Sequence, residues 1–386
     1  MCNPPNSRIA DPRVCLRREG NVQASSMMLV GVYYNNRDVR LEDMPVPDIG
    51  PGELLVKVRA SGICGSDVME WYRIPQAPRV LGHEIAGDVA KVGKCVRTFR
   101  VGDRIWVTHH VPCNTCRYCL AGHHTVCEAL HAGGLDPGGF AEYLRVPESN
   151  VERGMMRLPD ELSYEEGVLI EPLGAVLRGA SVAAIGPGKS VLIVGCGPTG
   201  LLHVKVAKAL GASMVIASDT HSYRLAAARA AGADHTLDAC EDTADCVRRA
   251  TRGCLADCVI ICAPTVSALQ VGLDAVDRHG TVLLFAVPPA GQPAQIDFSR
   301  LWRSEIRLVT SYAAAPRDTT LAMELVRCGI VGVRDLITHV LSLKDIAEGF
   351  RLVSERDGCL KVIILPDTQR SLTGSSACVD RAIQPS

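Results

Sequence analysis

Two kinds of hydrophobic pattern divide the chain. From Met27 to about Ser163, short runs of alternating polarity such as ELLVKVRAS, HEIAGDVAKVG, DRIWV and FAEYLRVP are separated by frequent Gly and Pro. Alternation over such short runs is typical of strands with one buried face. The first part of the chain is therefore predicted to form a twisted, barrel-like β domain.

From about Ser190 the pattern changes to continuous apolar strands separated by helical stretches. The predicted strands are SVLIVG, SMVIASD, HTLD, DCVIICA, TVLLFAV and IRLVTSY, with helices at 198–210 and 222–231. Strands that are apolar on both faces and alternate with helices indicate a parallel sheet covered on both sides. After Ala315, two amphipathic helices and a last strand, LKVIILP, are predicted. The fold class is therefore predicted to be α/β, with a separate β-rich domain.

The two ends lack this patterning. Residues 1–26 are polar and Arg-rich, without the apolar segment of a signal peptide, and the tail from 367 to 386 is also polar. We interpret residues 1–26 as a disordered extension, or as the result of a start codon assigned too early. We interpret residues 367–386 as a disordered tail.

Composition narrows the classes of partner and compartment. The 386 residues suit two domains, and a net charge of -1 without a long basic run argues against nucleic acid or an anionic membrane as partner. The longest apolar runs are too short to span a bilayer. Seventeen cysteines without an export signal, four of them at metal spacing, favour a reducing, cytoplasmic compartment over disulfides.

A dinucleotide site is predicted where the second pattern begins. Gly195, Gly197 and Gly200 have the G-x-G-x-x-G spacing between a strand and a helix, which lets the backbone approach a pyrophosphate at the helix N-terminus. Asp219 ends the next strand, 19 residues after Gly200, where an acid binds ribose hydroxyls and repels a 2′-phosphate. NAD is therefore favoured over NADP. The candidate cofactor-binding residues are Gly195, Gly197, Thr199, Gly200, Asp219 and Arg224, the last of which is equally well explained as an ordinary surface residue.

Four cysteines lie within 15 residues in a C-x2-C-x2-C-x7-C pattern. They are Cys113, Cys116, Cys119 and Cys127. Four thiolates suit a closed tetrahedral zinc with a structural role. An iron–sulfur cluster is the alternative, but the spacing is not that of a ferredoxin.

A second set of candidate metal ligands is dispersed along the chain. Cys64 lies in GICGSDV, His83 and Glu84 lie in GHEIAG, and Glu171 lies in EPLG. Taken singly, each is better explained as an ordinary core or surface residue. Together with a nucleotide domain, one thiolate, one imidazole and one or two carboxylates are able to hold zinc with a position left open for an alcohol.

The sequence resembles the zinc-containing medium-chain dehydrogenases, and within them the sorbitol (iditol) and threonine dehydrogenase branch. The resemblance covers about 27–366 and rests on GICGSDV, GHEIAGDVAKVG, VGDR, the four-cysteine lobe, GGFAEY, EPLG, GCGPTG and DLITHVLSLKDIAEGF. It implies a GroES-like catalytic domain and a Rossmann domain with the active site between them. The implied ranges are 27–174 for the catalytic domain with its lobe at 113–127, 175–315 for the Rossmann domain, and 316–366 for a return to the catalytic domain.

The resemblance also assigns roles to residues. Cys64, His83 and Glu84 are the implied catalytic zinc ligands. Glu171 holds the fourth position, where ethanol-type enzymes have a second cysteine, and either binds zinc or holds the zinc-bound water. Ser66 matches the relay hydroxyl of the family. Many relatives have a histidine relay at the position of Met69, so the proton is expected to leave through Ser66 and the cofactor ribose, through water, or through Glu84 or Glu171.

The implied protein binds two zinc ions per subunit and NAD, and oxidises a secondary alcohol on a polyol or similar small molecule. Oxidation of an amino alcohol such as threonine is one alternative. A non-catalytic zinc- and nucleotide-binding protein on the same fold is another, because fold does not establish function. The family suggests a homodimer or homotetramer.

Overall fold

The computed structural model describes residues 27–366 except residues 133 and 357. The predicted N-terminal extension (1–26) and C-terminal tail (367–386) lie outside the described residues. None of the helices in the described part of the chain combines the length and the apolar composition that a membrane span requires.

The elements follow the order that the hydrophobic pattern predicts. The strands are β1 (Met27–Asn35), β2 (Asp38–Pro45), β3 (Leu54–Gly62), β4 (Arg79–Val80), β5 (Glu84–Val92), β6 (Arg104–Val107), β7 (Tyr143–Val146), β8 (Met155–Arg157), β9 (Ser190–Val194), β10 (Met214–Asp219), β11 (His235–Asp238), β12 (Ala256–Ile261), β13 (Val276–Leu284), β14 (Arg307–Thr310), β15 (Ile337–Ser342) and β16 (Lys361–Leu365).

The α-helices are mostly short in the β-rich half and longer between the parallel strands. They are α1 (Glu70–Arg73), α2 (Arg117–Leu120), α3 (Glu128–Ala132), α4 (Glu148–Arg153), α5 (Tyr164–Val168), α6 (Ile170–Val182), α7 (Pro198–Ala209), α8 (Ser222–Ala230), α9 (Thr243–Ala250), α10 (Val266–Ala275), α11 (Phe298–Arg303), α12 (Pro316–Arg327) and α13 (Ile346–Glu355).

The β-rich part is built on a seven-stranded sheet. Its order is β15-β16-β3-β5-β6-β8, with β7 also paired to β3, and a three-stranded sheet β2-β1-β4 lies beside it. Strands β3 and β5 are antiparallel, with Gly62 opposite Glu84. The end of the chain returns to this sheet, because β16 pairs antiparallel with β3 and places Ile363 opposite Gly62.

The second part is a six-stranded parallel sheet in the order β11-β10-β9-β12-β13-β14. The central residues of β9, from Val191 to Ile193, are fully buried, which explains why this strand is apolar on both faces. The strand order reverses between β9 and β12, the place where open parallel sheets bind ligands at their carboxyl ends. The predicted α/β class, a GroES-like domain with a Rossmann sheet, is confirmed.

Helix α6 connects the two parts. It begins at Ile170 in the β-rich part and ends in the apolar core that covers the parallel sheet. Its Gly174 lies against Thr319 of α12, where a Cβ atom would stand 3.0 Å from the threonine methyl group. The predicted boundary between 174 and 175 falls inside this helix, and the domain ranges stay a prediction.

Candidate active site

The structure brings Cys64, His83 and Glu84 together. Cys64 lies just after β3, while His83 and Glu84 lie at the start of β5, and the antiparallel pairing of these strands places Gly62 opposite Glu84. The candidate ligand atoms of the three side chains lie within 4.8 Å of one another. This group, Cys64–His83–Glu84, is called the metal group below.

Asp67 orients the histidine of the metal group. Its carboxylate is completely buried, lies 3.4 Å from Nδ1 of His83 and 3.3 Å from the Arg73 guanidinium, and accepts a hydrogen bond from the Cys64 backbone N–H at 3.0 Å. Burial alone would raise the pKa of Asp67, but the nearby His83 and Arg73 lower it. A carboxylate that fixes the ring of a ligand histidine is typical of zinc sites. Asp67 and Arg73 were not predicted from the sequence, although Asp67 lies in the GICGSDV motif.

The negative charges in and beside the metal group stabilise a positive charge at His83. Burial would lower the pKa of His83, but the charges of Asp67 and Cys64 outweigh it and raise that pKa well above its ordinary value of 6.5. The backbone N–H of Ser66 points to the Cys64 sulfur at 3.5 Å. A metal cation bound by these side chains would take the place of the proton that Asp67 and Cys64 favour on His83.

Glu84 has a cationic neighbour that was not predicted from the sequence. Lys361, at the start of β16, is 3% exposed, forms an ion pair with Glu84 and donates a hydrogen bond to the Ile63 carbonyl at 3.1 Å. Gly62 leaves the room for this pair, because a Cβ atom there would collide with both side chains. No local motif marks Lys361, since it lies about 280 residues away along the chain and reaches Glu84 only through the pairing of β16 with β3.

Glu171 lies in the first turn of α6 and faces two histidines that the sequence analysis did not select. Its carboxylate and the ring nitrogens of His109 and His110 lie within 4.8 Å of one another. Burial raises the pKa of Glu171 to about 7, against the influence of His83, which lowers it, and with that of Glu84, which raises it. Glu171 therefore borders both the metal group and the histidine pair.

The histidine pair is neutral. Burial lowers the pKa of His109 well below its ordinary value and lowers that of His110 to about 3, and the positive charge of His83 adds to both effects. The His109 ring lies 4.8 Å from the His83 ring, between ring centroids. The only sequence signal was the dipeptide itself, in THHVPC.

Ser66 and Met69 occupy the predicted relay region. The Arg73 guanidinium donates hydrogen bonds to the Ser66 carbonyl at 3.0 Å and to the Ser66 hydroxyl at 3.3 Å. Because the hydroxyl oxygen accepts from Arg73, its own hydrogen is free to point elsewhere. Met69 caps the start of α1 with no side-chain hydrogen bond.

The four predicted lobe cysteines also come together. The sulfur of Cys113 lies 4.0 Å from that of Cys119 and 3.5 Å from that of Cys127, and the sulfurs of Cys116 and Cys119 are 3.6 Å apart. A tetrahedral zinc with Zn–S bonds of about 2.3 Å needs sulfurs about 3.8 Å apart. A hydrogen bond from the Thr115 side chain, together with those from the backbone N–H groups of Thr115 and Cys116, lowers the pKa of Cys113 to about 5. The lobe therefore fits zinc as a structural four-cysteine cluster.

The glycine motif opens α7 at the carboxyl end of β9. Gly195 has a φ of +99°, and a side chain on Gly200 would collide with the Gly195 carbonyl. No atom lies within 4 Å of the place that a Cβ atom on Gly197 would occupy. The N-terminus of α7, with Pro198 and Thr199 in its first turn, therefore faces space suited to a pyrophosphate.

Asp219 ends β10 beside this turn. Its carboxylate accepts hydrogen bonds from the Cys196 N–H at 2.7 Å and from the His221 N–H at 2.9 Å. Arg224 lies 3.9 Å from the same carboxylate and donates to the Tyr223 hydroxyl at 2.9 Å. The structure thus places all the predicted cofactor residues at one edge of the parallel sheet.

A contact between Tyr312 and His110 links the sheet that carries the cofactor residues to the region of the metal group. Tyr312 follows β14 at the carboxyl edge of the parallel sheet, and its ring lies 5.8 Å from the His110 ring, between centroids. The histidine pair beside the metal group therefore faces the edge of the sheet that carries the glycine motif. A molecule bound at the metal group would therefore lie close to residues of both parts of the chain.

Comparison with known families matches both parts of the chain. The model of the alcohol dehydrogenase GroES-like domain matches residues 50–160, and the model of the zinc-binding dehydrogenase matches residues 198–327. Sorbitol dehydrogenase of Bacillus subtilis (strain 168) is 33% identical over 351 residues, covering 88% of this chain and 98% of the relative. L-threonine 3-dehydrogenase of Symbiobacterium thermophilum is 34% identical over 352 residues, covering 85% and 94%.

Solved structures share the whole architecture. A zinc-binding dehydrogenase from Sinorhizobium meliloti 1021 bound to NADP has a TM-score of 0.79 and 29% identity, covering 88% of this chain and 100% of that chain. A short chain alcohol dehydrogenase from Escherichia coli CFT073 complexed with NADH has a TM-score of 0.78 and 27% identity, covering 88% and 99%. These two structures hold different nicotinamide cofactors.

Proposed function

This chain belongs to the zinc-containing medium-chain alcohol dehydrogenases, and from that membership we propose that it oxidises a secondary alcohol of a polyol or sugar alcohol to a ketone with NAD as the hydride acceptor. It is a zinc-dependent, NAD(P)-linked dehydrogenase for CH–OH donors. The observation that carries the proposal is the position of the metal group beside the cofactor edge of the Rossmann sheet. His110, next to the metal group, contacts Tyr312 at that edge.

The residues of the metal group suit a catalytic zinc. Cys64, His83 and Glu84 supply a thiolate, an imidazole and a carboxylate, and Glu171 completes the shell or holds the position beside it. When bound, zinc supplies a Lewis acid that favours the alkoxide form of the substrate. Lys361 restrains Glu84 through their ion pair, while Asp67 fixes the His83 ring.

The cofactor residues favour NAD. The open space above Gly197 and the N-terminus of α7 suit the pyrophosphate, and the acid at Asp219 suits a free ribose 2′-hydroxyl. NAD supplies the hydride acceptor when bound. Arg224 is assigned to the adenosine end, where its ion pair with Asp219 at 3.9 Å reduces its availability for a 2′-phosphate.

Ser66 is assigned to the proton. With Arg73 donating to its oxygen, the hydroxyl is oriented to exchange its hydrogen with a neighbouring alcohol oxygen. Met69 has no group that carries a proton, so the onward path leads through the cofactor ribose, water, or the carboxylates Glu84 and Glu171.

The quaternary and cellular settings are part of the same proposal. Strand β14 is one of the two edge strands of the parallel sheet, and the helix before it, α11, carries Phe298 and Trp302 with 74% and 81% exposure. Open edges and exposed aromatic residues favour pairing with another copy, as a homodimer or within a homotetramer.

The described free cysteines suit a reducing, cytoplasmic compartment.

A substrate panel tests the proposed function. The purified protein is assayed for NADH formation with polyols, inositols, L-threonine and simple secondary alcohols, and its zinc content is measured by elemental analysis. We expect about two zinc ions per chain, from one closed and one open site, and the highest kcat/KM with a polyol. L-threonine as the best substrate would favour the amino-alcohol alternative. Absence of turnover with every alcohol would favour the non-catalytic one.

A further inference from the structure

A cavity of about 330 Å³ lies at the amino edge of the parallel sheet. Its lining includes Leu255 just before β12, Val276 at the start of β13 and Ile306 just before β14. The glycine motif follows the carboxyl end of β9, which runs parallel to β12, so the cavity and the cofactor residues lie at opposite edges of one sheet. This cavity is called the basal cavity below, and the zinc and NAD assignments use none of its residues.

Three arginines line the basal cavity. Arg248 comes from α9, Arg278 from β13 and Arg300 from α11, and Asp277 is the one acid among the described lining residues. The Asp277 carboxylate accepts hydrogen bonds from the backbone N–H groups of Leu255 at 2.9 Å and of Arg278 at 2.7 Å. The lining therefore carries an excess of positive charge, and a concave surface with charge of one sign attracts ions of the opposite sign.

The ends of α9 and α11 do not require these arginine side chains. A cation near a helix C-terminus commonly balances the carbonyl groups that have no partner within the helix. Here the Arg248 carbonyl accepts from the Gly253 N–H at 2.7 Å, and the Leu301 carbonyl accepts from the Ile306 N–H at 3.0 Å. The backbone itself closes both helix ends, so the guanidinium groups remain available for another anion.

Arg248 is the least engaged of the three cations. Its side chain is exposed and forms no hydrogen bond or ion pair with any residue that the structure describes. Arg300 donates to the Asp274 carboxylate at 2.9 Å, and Arg278 lies 4.0 Å from Asp277 with 89% of its side chain exposed. Each guanidinium group carries five N–H donors, so all three retain donors for a ligand.

The lining suits a phosphate group better than a carboxylate. Guanidinium groups bind both anions through pairs of hydrogen bonds. A phosphate monoester offers three acceptor oxygens and a charge of about -1.5 to -2 at neutral pH, which matches several arginines. The Ser304 hydroxyl adds a further polar group, while Leu255 and Ile306 offer apolar contact for a small organic body. The volume lies at the lower end of the range of small-molecule sites.

We propose that the basal cavity binds a phosphate group, either free or on a small phosphomonoester, with Arg248 as its principal ligand. The bound anion would link α9 and α11 to the starts of β12, β13 and β14, and it would stabilise the folded chain by mass action. It would compete with neither NAD nor zinc, because both are assigned to residues outside the cavity. The inference goes beyond the proposed function and does not depend on which alcohol is oxidised.

Titration calorimetry tests the cavity in the zinc-loaded, full-length protein saturated with NADH, so that the cofactor site is already occupied. The probes are glycerol 3-phosphate, inorganic phosphate and succinate, at low ionic strength because salt screens exposed charges. At least one phosphate probe should bind saturably. Tighter binding of glycerol 3-phosphate would assign the cavity to phosphomonoesters, and equal or tighter binding of inorganic phosphate would assign it to free phosphate.

Arginine variants locate the binding site. Arg248→Ala should raise the Kd of the phosphate probe by about 10- to 100-fold, the range expected for a lost hydrogen bond to a charged group. Because Arg248 is exposed, the variant should keep the fold and the dehydrogenase activity of the parent. Arg37→Ala removes an exposed arginine of the β-rich part and is the matched control, with an unchanged Kd.

Cys254 provides a local readout, because it is exposed and lines the basal cavity. Its rate of alkylation by iodoacetamide, followed by mass spectrometry of its peptide, should fall as the phosphate probe saturates the protein. Cys328 is exposed at the end of α12 and should react at an unchanged rate.

Three results would overturn the inference. They are the absence of saturable binding of both phosphate probes, an equal Kd in Arg248→Ala and the parent, and alkylation of Cys254 that the bound probe does not slow. Tighter binding of succinate than of both phosphate probes would also contradict it. Absence of turnover with every alcohol, in a protein that still binds phosphate at this cavity, would refute the proposed function alone.

Discussion

Asp219 accepts two backbone hydrogen bonds beside the glycine turn, so it shapes that turn, and the proposed function assigns it to the adenosine ribose. We predict that Asp219→Ser relaxes the preference for NAD, because the serine removes the charge that repels a 2′-phosphate. The ratio of kcat/KM for NAD and NADP, measured with one alcohol, should fall at least about tenfold, which corresponds to about 1.4 kcal/mol. Equal kcat/KM for the two cofactors in the parent protein would refute the role of Asp219.

His203 is buried in α7 with both ring nitrogens unpartnered and its ring edge-on to Phe285 at 4.7 Å. Burial lowers its pKa from 6.5 to about 3. The folded state binds a proton on His203 less tightly than the unfolded state does. The free energy of unfolding is therefore highest above pH 6.5 and falls as the pH is lowered toward 3. At pH 5 the loss amounts to about 2 kcal/mol.

The variant His203→Leu tests this direction of the pH dependence of stability. It removes the titrating group while keeping an apolar side chain of similar size, so its stability should decline less between pH 7 and pH 5 than that of the parent. The free energy of unfolding at the two pH values measures the difference. An identical decline in the two proteins would show that His203 does not contribute to acid sensitivity.

At the level of residues, sequence reasoning found side chains that lie in short motifs and missed those that depend on distant pairing. Cys64, His83 and Glu84 stand in two local motifs, whereas Lys361 reaches Glu84 only because β16 returns to β3. His110 was missed for a different reason. A histidine has no distinctive spacing partner here, and its contact with Tyr312 requires the two parts of the chain to face each other.

The four-cysteine lobe is the element whose geometry most clearly requires a metal. It contains little apolar core, since Leu130 is the fully buried residue packed with its cysteines. We predict that Cys116→Ser lowers the zinc content from about two to about one per chain and costs several kcal/mol of stability, because metal binding and folding are coupled. Elemental analysis and thermal unfolding measure both effects.

Cys328→Ser is the matched control for the lobe, because Cys328 is exposed and lies at the end of α12. It should leave the zinc content and the Tm unchanged. Iron and labile sulfide in the parent protein, in place of zinc, would overturn the assignment of the lobe.

Burial decided which strands and helices could be predicted from the sequence. The strands of the parallel sheet were recognisable because buried strands such as β9 are apolar on both faces. The bounds of α6 were not, because it is buried along most of its length and passes from one part of the chain to the other without a polar break. The domain boundary that the resemblance implies, between 174 and 175, therefore falls within a continuous helix.

For the whole molecule, the open edge of the parallel sheet predicts self-association. Trp302→Glu places a charge on the exposed aromatic surface of α11 and should shift the protein toward monomers. Size-exclusion chromatography with light scattering measures the mass. Val101→Glu, at a residue with 64% exposure in the β-rich part, is the control and should keep the mass of the parent. A monomeric parent would contradict the proposed assembly.

The central claim is that the metal group and the Rossmann sheet act together on one alcohol. The most direct measurement is the rate of NADH formation from a polyol by Cys64→Ser, with NADH affinity measured on the same preparation. The account predicts that turnover is abolished while the Kd for NADH stays within about twofold of the parent, because the cofactor residues lie on another sheet. Cys95→Ser, at an exposed cysteine, should behave as the parent does. An undiminished kcat in Cys64→Ser would contradict the claim.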